Sequence, residues 1–145
     1  MLNKDFKEFL ILLNQNKVNY LVVGGYAVAI HGHPRYTKDL DVWVWVDRQN
    51  AKHIMAALSD FGFSSLELSA EDFLMKGYVI QLGQPPFRID ILTQLDGLEF
   101  EDCYPDKIIV DIDGVAVNFI DLENLKLNKL ASGRLQDLAD LENLQ

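Results

Sequence analysis

The sequence predicts an α/β fold in which helices flank a mixed β-sheet and a pair of helices closes the chain. Three observations lead there. Apolar residues recur at helical spacing before Asn16, short β-type runs alternate with helical segments through the middle, and a helical tail follows Ile120. The 145 residues, 49% of them hydrophobic, suit one domain with a real core.

Between Asp5 and Asn16, Phe6, Phe9, Leu10 and Leu13 mark one face of a first helix. Val18–Val23 is a continuous apolar run, read as a buried strand, and it ends at Gly24-Gly25. A short helix from Tyr26 to about His31 is stopped by Gly32 and Pro34. Leu40–Val46 forms the next strand, and Arg48–Phe61 a helix with Ile54, Met55 and Leu58 on its apolar side. Phe63–Leu68 reads as a further strand. Tyr78–Leu82 and Phe87–Leu92 pair across the Gly-Gln-Pro-Pro turn. Lys107–Asp111 and Val115–Ile120 flank an Asp113-Gly114 step, the signal of a tight hairpin. Leu122–Leu130 and Leu135–Leu144 are the closing helices, separated by Ser132-Gly133.

Composition excludes several classes. No stretch reaches the roughly 18 apolar residues of a membrane span, so no membrane association is expected. MLNKDFKEFL lacks the cationic and apolar regions of a secretory signal, and the expected location is the cytoplasm. Cys103 is the only cysteine, which rules out an internal disulfide and a Cys-based zinc site. A net charge of -9 disfavours a surface for long nucleic acids, which needs clustered Lys and Arg. Basic residues do gather in HGHPRYTK, beside a pair of aspartates.

Those aspartates carry the chemistry. In a strand, Asp39 and Asp41 point to one face, about 6–7 Å apart. Leu40, Val42 and Val44 take the other face, while Trp43 and Trp45 continue the aspartate face as core residues. Two adjacent carboxylates repel and resist desolvation, and a divalent cation removes that penalty. Asp90 interrupts the apolar strand Arg88-Ile89-Asp90-Ile91-Leu92, a costly position unless it is paired or metal-bound. Gly24 and Gly25 sit where a strand hands over to a helix, so backbone N–H groups can receive phosphate and no side chain blocks its approach. Each feature also has a plain structural account: a solvated strand end, a tight turn, or an Asp90–Arg88 pair. Together they are the parts of two-metal phosphoryl or nucleotidyl transfer.

The string VVGGYAVAIHGHPRYTKDLDVWV, with RIDIL downstream, resembles the nucleotidyltransferase superfamily with the DNA polymerase β-like fold. That family includes the minimal and lincosamide nucleotidyltransferases. Its pattern of a Gly-Gly or Gly-Ser step, an Asp-x-Asp strand and a later acid falls on Gly24-Gly25, Asp39 with Asp41, and Asp90. Many members have Ser after the first glycine; here Gly25 leaves that work to the backbone. Arg-x-Thr-x-Asp-x-Asp (Arg35, Thr37, Asp39, Asp41) and KLASGRLQDLADL are similar to the AbiEii-like toxin branch.

The resemblance implies a nucleotidyltransferase-like mixed sheet and transfer of NMP from an NTP to an acceptor hydroxyl. Asp39, Asp41 and Asp90 would be both catalytic and metal-binding, with two Mg²⁺ ions, or Mn²⁺, as cofactors. Gly24, Gly25, Arg35, Thr37, Lys38 and Lys129 would bind the nucleotide. The acceptor would be an RNA 3′ end, a protein or a small molecule, and an antitoxin or second copy would supply what so short a chain lacks. Lys129 also reads as an exposed helix lysine, and Arg134, Asp137 and Asp140 as structural ion-pair partners. His31 and His33 lack the third partner a zinc site needs. The alternative function is a catalytically silent module of the same fold that binds a nucleotide or a protein.

Overall fold

The computed structural model describes residues 2–34, 36–63, 67–84 and 86–144, with Gln84 described by its backbone alone. Helix α1 (Lys4–Gln15) starts where the Asn3 side chain accepts the Phe6 N–H at 2.8 Å, and it buries Phe6, Phe9, Leu10 and Leu13. Strand β1 (Tyr20–Val23) is fully buried and runs straight into helix α2 (Gly24–Ile30). The double glycine is therefore the first turn of that helix. Strand β1 starts later than its apolar run because the buried Asn50 amide takes both backbone groups of Asn19, at 2.7 and 3.1 Å.

Strand β2 (Asp39–Val44) follows, then helix α3 (Arg48–Asp60), capped by Asp47, whose carboxylate accepts the Asn50 N–H at 3.0 Å. Residues 64–66 of the expected Phe63–Leu68 strand lie outside the described residues, and Phe63, Glu67 and Leu68 are not in a strand. A 3₁₀ turn at Ala70–Leu74 instead pins Phe73 into the core. Strands β3 (Val79–Gln84) and β4 (Phe87–Leu92) pair antiparallel as expected. A short helix α4 (Phe100–Cys103), which the sequence did not signal, buries Phe100 edge-on against Trp43, centroids 5.2 Å apart.

Strands β5 (Ile108–Ile112) and β6 (Val115–Phe119) meet at Asp113-Gly114, both with positive φ (54° and 87°), the geometry the tight hairpin demands. Helices α5 (Leu122–Ser132) and α6 (Leu135–Asn143) close the chain. The six strands form one mixed sheet in the order β3-β4-β2-β1-β6-β5. Strand β1 runs antiparallel to β2 and parallel to β6, and β2 runs parallel to β4. Among the described residues no helix is long and apolar enough to cross a membrane.

Candidate functional site

Parallel pairing of β2 and β4 sets Asp39 level with Arg88 and Asp41 level with Asp90. Neighbouring strands lie about 4.8 Å apart and present paired residues to one face, so all four side chains share it. On the other flank Asp41 is level with Val23, the last residue of β1. The next residue, Gly24, has φ +67°, and a Cβ there would overlap Oδ2 of Asp41. Glycine at this position lets the chain turn into α2 while the carboxylate lies against its backbone.

Arg88 organises the apo site. Its Nε donates to Oδ1 of Asp90 at 2.8 Å, and its Nη2 to Oδ2 of Asp90 at 3.1 Å and to Oδ2 of Asp39 at 3.2 Å. Among the described residues Asp41 receives no such partner. Burial, followed by the charges of Asp90 and Asp39, pushes its carboxyl up to about 7, with Lys129 and Arg88 opposing. Among the described residues Asp41 is thus the member of the trio that the Arg88 guanidinium does not hydrogen-bond. Among the described residues no three acid, imidazole or thiol groups are arranged to hold a metal ion, and Asp90 and Asp39 share a guanidinium.

A pocket of about 340 Å³ opens beside these acids, lined by Gly25, Tyr36, Thr37, Lys38, Asp39, Asp41 and Gln136. It gathers five of the residues that the sequence singled out. Gly24 and Asp90 adjoin Asp41 but do not line the pocket, and Arg35 lies outside the described residues. Tyr36 and Gln136 had no signal in the sequence: Tyr36 is one aromatic in a loop, and Gln136 one polar residue in a helix.

Lys129 is neither exposed nor pointed at open solvent. It is 4% exposed, and its Nζ donates to Oδ1 of Asp137 at 2.9 Å and lies 3.2 Å from Oδ2 of Asp140. The Arg134–Asp137 ion pair forms at 2.6 Å, from the residue that precedes α6 to its first turn. Through Lys129, Asp137 and Asp140 tie α6 to α5. Burial works to raise the Asp137 carboxyl, but hydrogen bonds from Ser132, Lys129 and Arg134 outweigh it and hold the carboxyl at about 2. Lys129 remains close enough to Asp41 to lower its pKa, so the closing helices extend the electrostatics of the sheet site.

Comparison with known proteins agrees with this geometry. The family profile described as "Nucleotidyltransferase of unknown function (DUF6036)" matches residues 1–145. No curated protein sequence matches the chain. Among solved structures, a nucleotidyltransferase candidate from Thermotoga maritima (TM1012) superposes with a TM-score of 0.63 at 20% identity, covering 99% of this chain and 94% of its own. The lincosamide antibiotic adenylyltransferase LnuA, solved with lincomycin, gives 0.60 at 19% identity, covering 99% and 96%. ANT(2")-Ia, solved with adenylyl-2"-tobramycin, gives 0.59 at 11% identity, covering 96% and 84%. These likenesses establish the nucleotidyltransferase fold.

Proposed function

Because the chain belongs to the family described as nucleotidyltransferase of unknown function (DUF6036), we propose that it transfers NMP from an NTP to an acceptor hydroxyl, with residues 1–145 acting as one domain. The observation that carries this reading is the convergence of Asp39, Asp41, Thr37, Lys38 and Gly25 on one pocket, with Asp90 level with Asp41.

The three acids would offer a divalent cation its oxygen donors once Arg88 releases Asp39 and Asp90. Asp41 holds its proton up to about neutral pH because it is buried beside two like charges, and a cation there would release that proton and offset the repulsion. Asp39, Asp41 and Asp90 would hold Mg²⁺ or Mn²⁺, which when bound neutralises triphosphate charge and polarises the reacting phosphoryl group. Lys38 and Thr37 contact the phosphates from the loop, and the backbone of Gly24 and Gly25 receives them without side-chain obstruction. Arg35 adds positive charge on the same segment. Asp90 accepts the proton of the acceptor hydroxyl, whose oxygen attacks the α-phosphorus as pyrophosphate leaves. Lys129 steadies the site electrostatically and, once freed from Asp137, reaches phosphate.

A net charge of -9 and the antibiotic acceptors named for two neighbours favour a small-molecule hydroxyl over an RNA end or a protein. The hold of Arg88 on Asp90 and Asp39 favours a second reading, a silent module that binds nucleotide or a protein without transferring anything. Thermal shift with each NTP, with and without Mg²⁺, separates the two. Stabilisation that needs both supports transfer, by linkage; none with any NTP supports the silent module. Labelled NTPs in cell extract then identify the acceptor. Label in RNA would assign the protein to the toxin-type branch, with an antitoxin or second copy as partner.

A further inference from the structure

A second cavity, of about 520 Å³, borders the carboxylate pocket and shares Tyr36 and Thr37 with it. Its volume falls within the roughly 300–1,000 Å³ of small-molecule sites. Among the described residues no Asp, Glu, Lys or Arg lines it. The walls are chiefly Leu2, Tyr26, Ile30, Tyr36, Phe87 and Ile112. Tyr36 is 76% exposed and Phe87 44%, large aromatics that the fold leaves without a full set of packing partners.

The cavity is braced from behind. Phe6 packs edge-on against both Tyr26 and Phe87, at centroid distances of 5.9 and 6.3 Å. The Tyr26 hydroxyl lies 3.5 Å from the Thr37 carbonyl and ties α2 to the loop that separates the two spaces. Among the described residues that line the cavity a triphosphate finds no counter-charge, and a planar base alone would leave much of the space empty. A polycation would find no carboxylate among the lining residues.

We infer that this cavity is the acceptor subsite and that the acceptor is an uncharged, ring-bearing small molecule with a free hydroxyl. The inference rests on the nucleotidyl-transfer reading and names the substrate class of that site. The rings occupy the aromatic cavity, and the hydroxyl reaches past Tyr36 and Thr37 toward the acids. Its oxygen bonds to the α-phosphorus of the NTP, its proton passes to a carboxylate, and the bond from the α-phosphorus to the bridging oxygen breaks as pyrophosphate departs. The product is a phosphodiester between the ring compound and the nucleoside.

The probes are 2-naphthol and estradiol, uncharged fused-ring alcohols, with glucose as a hydroxyl-bearing control that lacks an apolar body. Binding to the full chain is measured by fluorescence and calorimetry, for wild type, for Ala29→Phe, which fills the cavity, and for Phe87→Ser, which removes a half-exposed wall. At least one fused-ring alcohol should bind wild type and glucose should not. Each variant should weaken that binding about tenfold or more, the equivalent of losing one buried ring contact. ATP–Mg²⁺ affinity should change by less than about twofold, since neither Ala29 nor Phe87 lines the carboxylate pocket. Thermal melts of both variants check the fold, and the exposed position of Phe87 keeps the test available if Ala29→Phe unfolds.

Failure of both alcohols to bind overturns the inference, as does binding that neither folded variant weakens. A matching loss of ATP affinity in the variants also overturns it, because the cavity would then hold the nucleobase. If wild type binds the alcohols but no NTP with Mg²⁺, the transfer reading falls and the acceptor role falls with it, leaving a ligand pocket of another purpose.

Discussion

Arg88 grips both carboxylate oxygens of Asp90, at 2.8 and 3.1 Å, from two residues away on the same strand, and with the same guanidinium reaches Asp39 at 3.2 Å. A fixed cation already stands where a bound metal ion would compete for the same oxygens. Arg88→Gln should therefore tighten Mn²⁺ binding by roughly two- to fivefold and lower the melting temperature of the metal-free protein. Mn²⁺ titration followed by electron paramagnetic resonance reads the first effect. Unchanged or weaker Mn²⁺ binding in a folded Arg88→Gln protein would mean that Arg88 and the metal do not share Asp90.

Asp41 gives the apo protein a specific pH dependence. Its carboxyl is raised from 3.8 to about 7, so between those values the folded chain keeps a proton that the unfolded chain releases. Stability from this group is fully present below the unfolded pKa and is lost as pH rises through about 7. In EDTA, Asp41→Asn should gain melting temperature relative to wild type from pH 5 to pH 8, and Mg²⁺ should narrow the gap by stabilising wild type alone. Parallel wild-type and Asp41→Asn curves across that range would refute the raised pKa.

Gly24 and Asp41 should be energetically coupled, because a Cβ on one overlaps a carboxylate oxygen of the other. The positive φ alone makes Gly24→Ala cost about 1–2 kcal/mol. In the Asp41→Ala background the carboxylate overlap is gone and only the backbone cost and a tight Cβ contact at 3.2 Å remain, so the cycle should close with a coupling of about 1 kcal/mol or more. Additive losses in urea unfolding would show that the carboxylate moves aside freely.

Turnover and affinity should separate at Asp90. If Asp39 and Asp41 hold the metal and Asp90 is the base, Asp90→Asn should keep most of the Mg²⁺–NTP affinity while transfer falls about 10²–10⁴-fold. Asp41→Asn should lose both. If the two variants lose affinity equally, Asp90 is a primary metal ligand. Full turnover in Asp90→Asn would remove it from the site.

Lys129 is a buried cation between two buried acids, and Lys129→Met should destabilise the chain by about 1–3 kcal/mol by taking that cation away, although Asp137 keeps Ser132 and Arg134 and Asp140 keeps Gln136. Adding Asp137→Asn and Asp140→Asn should restore much of that loss. A Lys129→Met protein as stable as wild type in urea would show that the ion trio contributes nothing net.

The local pattern of the sequence announced the helix face of Phe6, Phe9, Leu10 and Leu13, the Asp113-Gly114 hairpin, and Asp39 and Asp41 on one face of a strand. Each depends on neighbours within a few residues. Pairings between distant segments were not legible: nothing local says that β1 lies between β2 and β6, or that Asp41 will be level with Asp90. Helix α5 misleads for a related reason. Leu127 and Leu130 are exposed, whereas Asn128 is buried donating to the Asp96 carbonyl and Lys129 is buried because α6 offers Asp137 and Asp140. An apolar periodicity cannot reveal a helix pair joined through its charges.

Tyr36 and Thr37 border both spaces, the one beside the acids and the apolar one next to it. They act as a partition, and a partition has one position at a time. Any shift of this segment that widens the chamber on one side narrows the other by the same displacement. Room for a larger ring system is then taken from the room for phosphate, so the size limit on one substrate and the seating of the other are set by a single stretch of backbone.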